Sequence, residues 1–427
     1  MNDSARKIQY CKVLIATLLM AATTACETPK PPAYKTAPSA TPPASTVPSA
    51  PAAPTTVPAP AIKNEPQVDL RTRAPVAWSE LPGWQQDNHA DALPALLASC
   101  RVLSKQAGWQ DACDAARAVK GRDAARLFFE HHFAPYRVVG PDGTSEGLIT
   151  GYYEPSLRGS RKPSARYRFP IYAVPDDLLV LDFGDLAPEL KSMAPRARLD
   201  GRRVVPYYTR SQIENGIASL RGKEIAWVED VVDLFFLQIQ GSGRILLDDG
   251  TMMRVGFADH NGHPYRSIGR VLIDRGELPL ERTSMQGIKA WARYNPAKLP
   301  ELLNQNPRFV FFRELVVNGT APSGAVNSPP GALGVPLTPH RSIAVDPRYV
   351  PLGAPVHIST QWPNTDKPLQ RLMLAQDTGG AIRGAVRADF FWGNGDDAAR
   401  EAGRMKQSLR MWVLLPKNTA AQNGVQK

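Results

Sequence analysis

The feature that most limits the possible folds is a series of short apolar runs between residue 147 and the C-terminal region. These runs are rich in β-branched and aromatic residues and are separated by glycine and proline, a pattern typical of β-strands. Helical stretches interrupt the runs without a steady βαβ rhythm, which favours barrels over a parallel sheet wound with helices. The sequence therefore predicts a mainly β fold with helical insertions.

The same patterns place the individual elements. We predict helices within residues 93–132 and again over residues 267–278 and 284–294, with Asp111 and Asp123 as caps or first-turn acids. We predict strands over residues 148–153, 169–174, 224–228, 233–240, 252–257, 309–314, 341–344, 356–359, 372–376 and 411–415.

Residues 1–25 have the pattern of an export signal. Arg6, Lys7 and Lys12 precede a short apolar core over residues 13–22, and small residues lead to Cys26. The apolar core is too short to span a bilayer comfortably. Cleavage before Cys26 would be similar to that of a bacterial lipoprotein, with Thr23 where Leu is usual. Lipidation of Cys26 is our interpretation; secretion with a free Cys26 is the alternative.

Residues 26–66 form a segment that cannot build a core. Proline makes up 40 of the 427 residues, and twelve of these prolines lie between Glu27 and Pro66 among Ala, Thr and Ser. Such a composition buries too little apolar surface to offset the entropy of ordering. We predict a disordered, extended tether, and with a lipidated Cys26 the protein would be a lipoprotein on the periplasmic face of the outer membrane.

Cys100 and Cys113 lie in adjacent predicted helices joined by a short turn. An exported protein meets an oxidising compartment, where such a pair can form a disulfide. Two reduced, buried thiols are the alternative, and we favour the disulfide.

Signals for metal or nucleotide chemistry are weak. A phosphate-binding loop and a dinucleotide fingerprint are missing from the sequence. His260 and His263 flank an Asn-Gly turn with no third ligand marked nearby, so we predict neither a metal site nor a cofactor. Ser242, within Gly241-Ser242-Gly243, fits a place where a ligand approaches the backbone, with a plain turn as the alternative, better than it fits a nucleophile.

Two acidic residues stand out because they adjoin apolar or aromatic segments. Asp377 ends an apolar run and precedes Thr378-Gly379-Gly380, and Asp389 precedes Phe390-Phe391-Trp392. Burial raises the pKa of a carboxyl group, as a general acid near neutral pH requires. Acids held by turn amides are the structural alternative for both residues.

Several strings resemble the membrane-bound lytic murein transglycosylase A family, in order over residues 75–416. Near the C-terminus they resemble the three-aspartate domain of that family. The strings begin at Gly151-Tyr152-Tyr153-Glu154-Pro155, Gln238-Ile239-Gln240-Gly241-Ser242-Gly243, Asn261-Gly262-His263-Pro264-Tyr265, Asn306-Pro307-Arg308-Phe309, Ala344-Val345-Asp346-Pro347, Gln376-Asp377-Thr378-Gly379-Gly380 and Asp389-Phe390-Phe391-Trp392-Gly393.

The resemblance implies a double-psi β-barrel formed by two discontinuous segments, with a second β-domain inserted and a glycan groove between them. The expected division is a first barrel part with N-terminal helices over residues 67–155, an inserted domain over 156–325, a second barrel part over 326–416 and a tail over 417–427.

The resemblance also implies the reaction. The β-1,4 bond between N-acetylmuramic acid and N-acetylglucosamine in peptidoglycan is cleaved without water, and a 1,6-anhydro sugar remains. The essential aspartate of the family corresponds to Asp389, its motif neighbour to Asp377 and the third, structural acid to Asp346. Because the attacking hydroxyl belongs to the substrate itself, one carboxyl group acting first as acid and then as base can suffice.

The residues around these motifs are candidate sugar ligands. Aromatic rings can stack on sugars, although strand alternation allows only one of two adjacent tyrosines to line the groove. Backbone amides of the glycine-rich loop can stabilise developing charge. The substrate-binding candidates are Tyr152, Tyr153, Gln240, Ser242, Gly243, Gly379, Gly380 and Ala381.

Two other functions remain open on the sequence. One is a hydrolytic glycosidase with Asp377 and Asp389 as an acid–base pair, and the other is a non-catalytic wall-binding module. Removal of residues 1–25 takes away three basic residues and one acid, so the net charge falls from +11 to +9, which suits a polymer whose peptide stems bear carboxylates. The expected partners are glycan strands, the membrane through a lipid anchor, and proteins of cell-wall synthesis or division, with no nucleic acid.

Overall fold

The computed structural model describes residue 70 and residues 74–183, 194–315 and 328–417. The predicted export signal, Cys26 and the whole of the predicted tether lie outside these residues. Within the described residues, no helix has the length and apolar character needed to cross a membrane.

The described residues contain both helices and strands. The helices are α1 Leu93–Leu103, α2 Gln110–Ala116, α3 Arg122–His132, α4 Arg210–Glu214, α5 Val231–Gln240, α6 Ile268–Asp274, α7 Met285–Tyr294, α8 Leu299–Asn304 and α9 Gly395–Arg404. The strands are β1 Phe133–Arg137, β2 Gly147–Glu154, β3 Ser156–Ser160, β4 Phe169–Tyr172, β5 Leu179–Val180, β6 Arg196–Asp200, β7 Arg203–Pro206, β8 Glu224–Val228, β9 Ser242–Leu247, β10 Met252–His260, β11 Val310–Glu314, β12 Ser342–Val345, β13 Pro355–Gln361, β14 Pro368–Asp377, β15 Arg387–Asn394 and β16 Lys406–Pro416.

Six strands close into a barrel. They follow the order β16, β13, β14, β12, β15 and β2, and β2 pairs with β16 to close the ring. The pairs β12–β14 and β15–β2 are parallel, whereas the other neighbours in the ring are antiparallel. β1 adds to the outside edge of β16. The predicted mainly β architecture is confirmed, and its first barrel strand, β2, lies far from the others in sequence.

The N-terminal helices are fixed to the barrel by buried polar groups. Arg341, just before β12, donates two hydrogen bonds of 2.9 Å to the carboxylate of Asp87. The side-chain amide of Gln376 in β14 donates to Ser99 Oγ at 3.0 Å and to the carbonyl oxygen of Ala95 at 2.8 Å in α1. Because each of these groups is buried and satisfied, the helices have one defined position against the sheet.

A second sheet follows directly from the barrel. Its order is β11, β10, β9, β3, β8 and β4, and the chain passes into it where β2 ends at Glu154 and β3 begins at Ser156. Glu154 is 1% exposed and receives hydrogen bonds of 2.7 Å from Arg244 in β9 and Arg254 in β10. A buried, fully paired carboxylate therefore joins the barrel strand to the second sheet.

The strand predicted over residues 233–240 is wrong, because this segment belongs to helix α5. The side chain of Asp230 accepts hydrogen bonds from the amides of Val232 and Asp233, and Gly241 ends the helix with φ of 78°. α5 packs Leu234 against the second sheet and its opposite side against α6 and α7. A helix buried on two sides is apolar all round, so its periodicity is lost.

The remaining predicted elements agree with the structure in type. Asp111 and Asp123 occupy first turns of α2 and α3, as the sequence predicts. Cys100 in α1 and Cys113 in α2 form a disulfide with a Cα–Cα distance of 5.6 Å. The cross-link closes a loop between residues 13 positions apart.

We expect the double variant Cys100→Ala, Cys113→Ala to lose roughly 3 kcal/mol of unfolding free energy, because the short loop no longer restricts the unfolded chain. Denaturant unfolding with and without reductant measures this loss. Reductant should lower the midpoint of the parent protein and leave that of the double variant unchanged. Two alkylatable thiols in the native exported protein would contradict the prediction.

Candidate active site

Strand β12 brings the two candidate acids together. Ala344 in β12 is aligned with Asp377 at the end of β14 on one side and with Asp389 in β15 on the other. On the far side of β15, Asp389 is aligned with Thr150 of β2. Both carboxyl groups therefore belong to neighbouring strands at one level of the barrel, and both side chains are half-buried.

Asp389 is held through one of its two oxygens. The hydroxyl of Thr150 donates a hydrogen bond of 2.6 Å to Asp389 Oδ1. Arg387 Nη2 donates to the same hydroxyl oxygen at 2.9 Å, which orients the hydroxyl proton towards Asp389. Among the described residues, Asp389 Oδ2 has no hydrogen-bond donor. This oxygen is the one available to a ligand.

Asp377 is held through both oxygens. Asp377 Oδ1 accepts hydrogen bonds from the amides of Ala332 at 2.8 Å and Thr378 at 2.9 Å. Asp377 Oδ2 accepts one from the hydroxyl of Tyr152 at 3.0 Å. Three donors suit a carboxylate, whereas the single donor on Asp389 leaves room for a proton. The contacts thus separate the two acids by role.

Burial raises the pKa of both acids, as the sequence predicts. The pKa of Asp389 rises from 3.8 to about 6 through burial, against the lowering effects of the Thr150 hydroxyl and the Arg387 charge. The negative charge of Asp377 adds to the rise. Burial also raises the pKa of Asp377 to about 6, despite its three hydrogen bonds. A proton on Asp389 is consequently accessible near neutral pH.

Asp346 lies outside this pair and has a structural environment. Its buried carboxylate forms an ion pair with Arg348, with Oδ2 2.6 Å from Arg348 Nη2, and accepts a hydrogen bond of 2.8 Å from the amide of Gly384. These contacts join the turn after β12 to the segment just before β15.

The two candidate tyrosines of β2 point in opposite directions. Tyr152 reaches Asp377, and its ring lies 5.1 Å from that of Phe391. Tyr153 is buried in the barrel core, with its hydroxyl 2.9 Å from the sulfur of Met285. Alternation along the strand therefore brings only Tyr152 to the acids. The same alternation buries Phe390 and Trp392 in the core.

The next group of candidates lies where α5 ends and β9 begins: Gln240, Ser242 and Gly243. Gln240 Oε1 accepts a hydrogen bond of 3.2 Å from the amide of Tyr153, so it contacts the chain next to the site. A Cβ atom on Gly243 would come within 2.4 Å of Leu237, which shows that this glycine permits close packing. Ser242 is half-buried where β9 begins.

The loop after Asp377 offers backbone donors. Within the described part of the chain, no residue accepts a hydrogen bond from the amides of Gly379, Gly380 or Ala381. Gly380 and Ala381 are exposed, and Gly379 is half-buried. These amides can therefore bind an oxygen atom of a ligand.

The histidines of the Asn-Gly turn have local partners. His260 Nδ1 accepts a hydrogen bond of 2.8 Å from the amide of Gly262, and His263 Nε2 lies 2.7 Å from the carbonyl oxygen of Tyr207. Among the described residues, no three side chains of His, Cys, Asp or Glu form a group suited to a metal ion.

Sequence reasoning missed Thr150, Arg387 and the amide of Ala332. Thr150 is 239 positions from Asp389 in the chain, so no local pattern connects them. The Arg387-Ala388-Asp389 spacing does place Arg387 and Asp389 on one side of a strand, and this was the available signal.

Two family profiles match parts of the chain. The family profile described as the MltA specific insert domain matches residues 148–313. The profile of the 3D domain matches residues 341–415. The first match starts within β2, and the second covers β12 to β16 apart from the last residue.

Individual proteins and solved structures are also similar to this chain. Membrane-bound lytic murein transglycosylase A of Vibrio cholerae is 31% identical over 290 residues, covering 66% of this chain and 69% of that protein. The crystal structure of MltA from Neisseria gonorrhoeae is 41% identical, with a TM-score of 0.68 over 82% of this chain and 93% of that chain. E. coli MltA with bound chitohexaose is 28% identical, with a TM-score of 0.58 over 77% and 90%.

We expect Asp389→Asn to stabilise the protein at neutral pH. Between about pH 4 and 6 the folded state keeps a proton on Asp389 that the unfolded state has released, so rising pH costs folded-state stability. The amide removes this titration. At pH 7.5 the melting temperature of the Asp389→Asn variant should exceed that of the parent by a few degrees, on the order expected for about 1 kcal/mol. Near pH 4 this difference in melting temperature should vanish.

Asp366→Asn is the matched control, because Asp366 is exposed in the turn between β13 and β14. Its thermal unfolding should equal that of the parent at both pH values. An Asp389→Asn variant that is less stable than the parent at pH 7.5 would show that the folded state favours the carboxylate.

Proposed function

The chain belongs to the membrane-bound lytic murein transglycosylase A family, and we propose that its lytic cleavage of peptidoglycan uses Asp389 first as acid and then as base. The observation that carries this assignment is the environment of the carboxyl group. Asp389 has a raised pKa, one oxygen fixed by Thr150 and the other open to a ligand. Asp377 is occupied at both oxygens.

The proposed reaction balances without water. Protonated Asp389 donates its proton to the glycosidic oxygen as the bond from that oxygen to the muramyl anomeric carbon breaks. The 6-hydroxyl oxygen of the same muramyl residue then bonds to that carbon and gives its proton to the Asp389 carboxylate. The enzyme is regenerated, and the products are a free 4-hydroxyl on one sugar and a 1,6-anhydromuramyl end on the other. The intramolecular nucleophile has a high effective concentration, so a second carboxyl group is unnecessary.

The neighbours of Asp389 have supporting roles in this proposal. A negative charge on Asp377 raises the pKa of Asp389 and stabilises positive charge that develops on the sugar ring. The amides of Gly379, Gly380 and Ala381 are placed to bind sugar oxygens. Tyr152 positions Asp377 through its hydroxyl. Gln240, at the end of α5, and Ser242, at the start of β9, are sugar ligands in this proposal. Gly243 allows the backbone of β9 to pack closely against Leu237.

We further propose that the six-stranded ring is a double-psi β-barrel. Its two parallel pairs, β12–β14 and β15–β2, within an otherwise antiparallel ring support this topology. The proposed barrel segments are residues 67–155 and 326–416, and residues 156–325 form the inserted domain. The glycan strand would lie between them. Chitohexaose bound to the E. coli relative supports a glycan as the ligand of this chain.

The proposed location is the periplasmic face of the outer membrane. The family name describes a membrane-bound enzyme. The signal-like residues 1–25 followed by Cys26 supply a means of anchoring, and Glu27 in place of Asp favours the outer membrane by analogy with lipoprotein sorting. The proline-rich residues 26–66 could extend on the order of 100 Å in polyproline II geometry.

We expect Asp389→Asn to lower the rate of release of 1,6-anhydro-muropeptides from purified sacculi by about 10²–10⁴-fold, the range typical for loss of a general acid–base group. Asp377→Asn should reduce the rate less or shift its pH optimum. Mass analysis of the soluble products, with Asp366→Asn as the unaffected control, measures both effects. Products with reducing ends would show hydrolysis, and an active Asp389→Asn beside an inactive Asp377→Asn would reverse the two roles.

We expect Cys26→Ser to move the protein from the membrane fraction to the soluble fraction, because the thiol that would carry the lipid is lost. Fractionation of cells and mass analysis of the mature N-terminus measure this change. Unchanged fractionation, together with a mature terminus that carries no lipid, would overturn the anchoring proposal.

A further inference from the structure

The side chain of Arg308 extends from the second sheet to the loop after Asp377. It lies just before β11, and its Nη1 donates a hydrogen bond of 3.3 Å to the carbonyl oxygen of His263. Its Nη2 lies against Gly380, where an added Cβ atom would be only 3.3 Å away. The guanidinium group is therefore fixed beside the loop that begins at one of the two candidate acids.

The positive charge around Arg308 exceeds the negative charge. Arg196 Nε is paired with Asp259 Oδ1 at 2.9 Å, whereas neither Arg308 nor Arg383 forms an ion pair with any residue that the structure describes. Burial lowers the pKa of Arg308, repulsion by Arg196 and Arg383 lowers it further, and the negative charge of Asp259 only partly offsets these effects. An anion next to Arg308 would relieve this repulsion.

Arg383 also connects this cluster with the cleft beside the catalytic strand. Arg383 and Arg387 line a cleft of about 620 Å³, together with Asp142 and Glu146 on the opposite loop. The carboxylate of Asp142 is occupied by hydrogen bonds within its own turn. Arg387, which orients the hydroxyl next to Asp389, lines this cleft, whereas Asp377 and Asp389 do not.

We propose that Arg308, assisted by Arg383, binds a carboxylate of the glycan substrate beside the loop that follows Asp377. The proposal deepens the proposed function and rests on it. A planar guanidinium group offers two parallel donors that match a carboxylate. Arg308 Nη2 is available for such a bond, and the exposed side chain of Arg383 can supply a second cation.

Peptidoglycan offers this chemistry from two sources. In peptide-free strands the lactyl group of each muramic acid ends in a free carboxylate. In peptide-bearing strands that group is amide-linked, and the carboxylates lie on the peptide stem instead. Chitohexaose carries neither, which makes it a neutral ligand of the same sugar series.

The experiment measures glycan binding by the full chain in the Asp389→Asn background, where the expected turnover is about 10²–10⁴-fold slower. The ligands are peptide-free glycan strands, peptide-bearing glycan strands and chitohexaose. Adding Arg308→Gln should weaken binding of at least one carboxylate-bearing strand about tenfold, as expected for one charge-assisted hydrogen bond. Binding of chitohexaose should stay unchanged, Arg308→Lys should restore part of the affinity, and added salt should remove most of the difference.

Arg101→Gln in α1 is the matched control, since Arg101 is exposed and the variant loses the same charge. A loss confined to peptide-free strands identifies the lactyl carboxylate, and a loss confined to peptide-bearing strands identifies the stem. Equal losses for all three ligands, or no loss for any, would overturn the assignment of Arg308. Absence of anhydro products from the parent protein would instead overturn the proposed reaction. The assignment of Arg308 depends on the binding data alone, so its failure can be told apart from failure of the reaction.

Discussion

The pairing of β12 with β14 on one side and β15 on the other is the constraint on which the site depends. This short strand runs parallel to β14 and antiparallel to β15, so the end of one neighbour meets the middle of the other at Ala344. Every residue of β12 is buried, which fixes its register against slippage. If β12 shifted by one residue against only one of these two neighbours, the side chains of Asp377 and Asp389 would lie on opposite faces of the sheet. The chemistry is therefore positioned by backbone hydrogen bonds that the rest of the barrel maintains.

The two acids gain different properties from similar burial. Both have a pKa of about 6, but their donors differ in number and in position. Asp377 is fixed by two amides and a phenol, a set that resists reorientation. Asp389 has a hydroxyl on one oxygen and an arginine one step behind it. Such an arrangement lets one carboxyl group exchange a proton while its neighbour keeps a steady electrostatic field.

Much of the fold was predictable from the sequence because most strands are short, apolar and bounded by turn residues. The segment 233–240 was not, since α5 is buried on two sides and its caps, Asp230 and Gly241, were the only helical signals. The sequence predicted that Tyr152 and Tyr153 point in opposite directions. It did not predict which of the two tyrosines faces the acids. The contact of Thr150 with Asp389 depends on a parallel pairing between β2 and β15 across the whole inserted segment, which no local pattern encodes. The importance of Asp389 itself came from a family resemblance and not from its local pattern.

The buried carboxylate of Glu154 has a mechanical consequence for how the enzyme meets its polymer. Glu154 belongs to a barrel strand, while both of its arginine partners belong to adjacent strands of the second sheet. Hinge opening at this point would break two ion pairs of a buried carboxylate, at a cost of several kcal/mol. The contacts of Glu154 therefore oppose a change in the angle between β2 and the second sheet. If the glycan lies between the barrel and the inserted domain as proposed, adaptation on binding falls to the sugar chain more than to the protein.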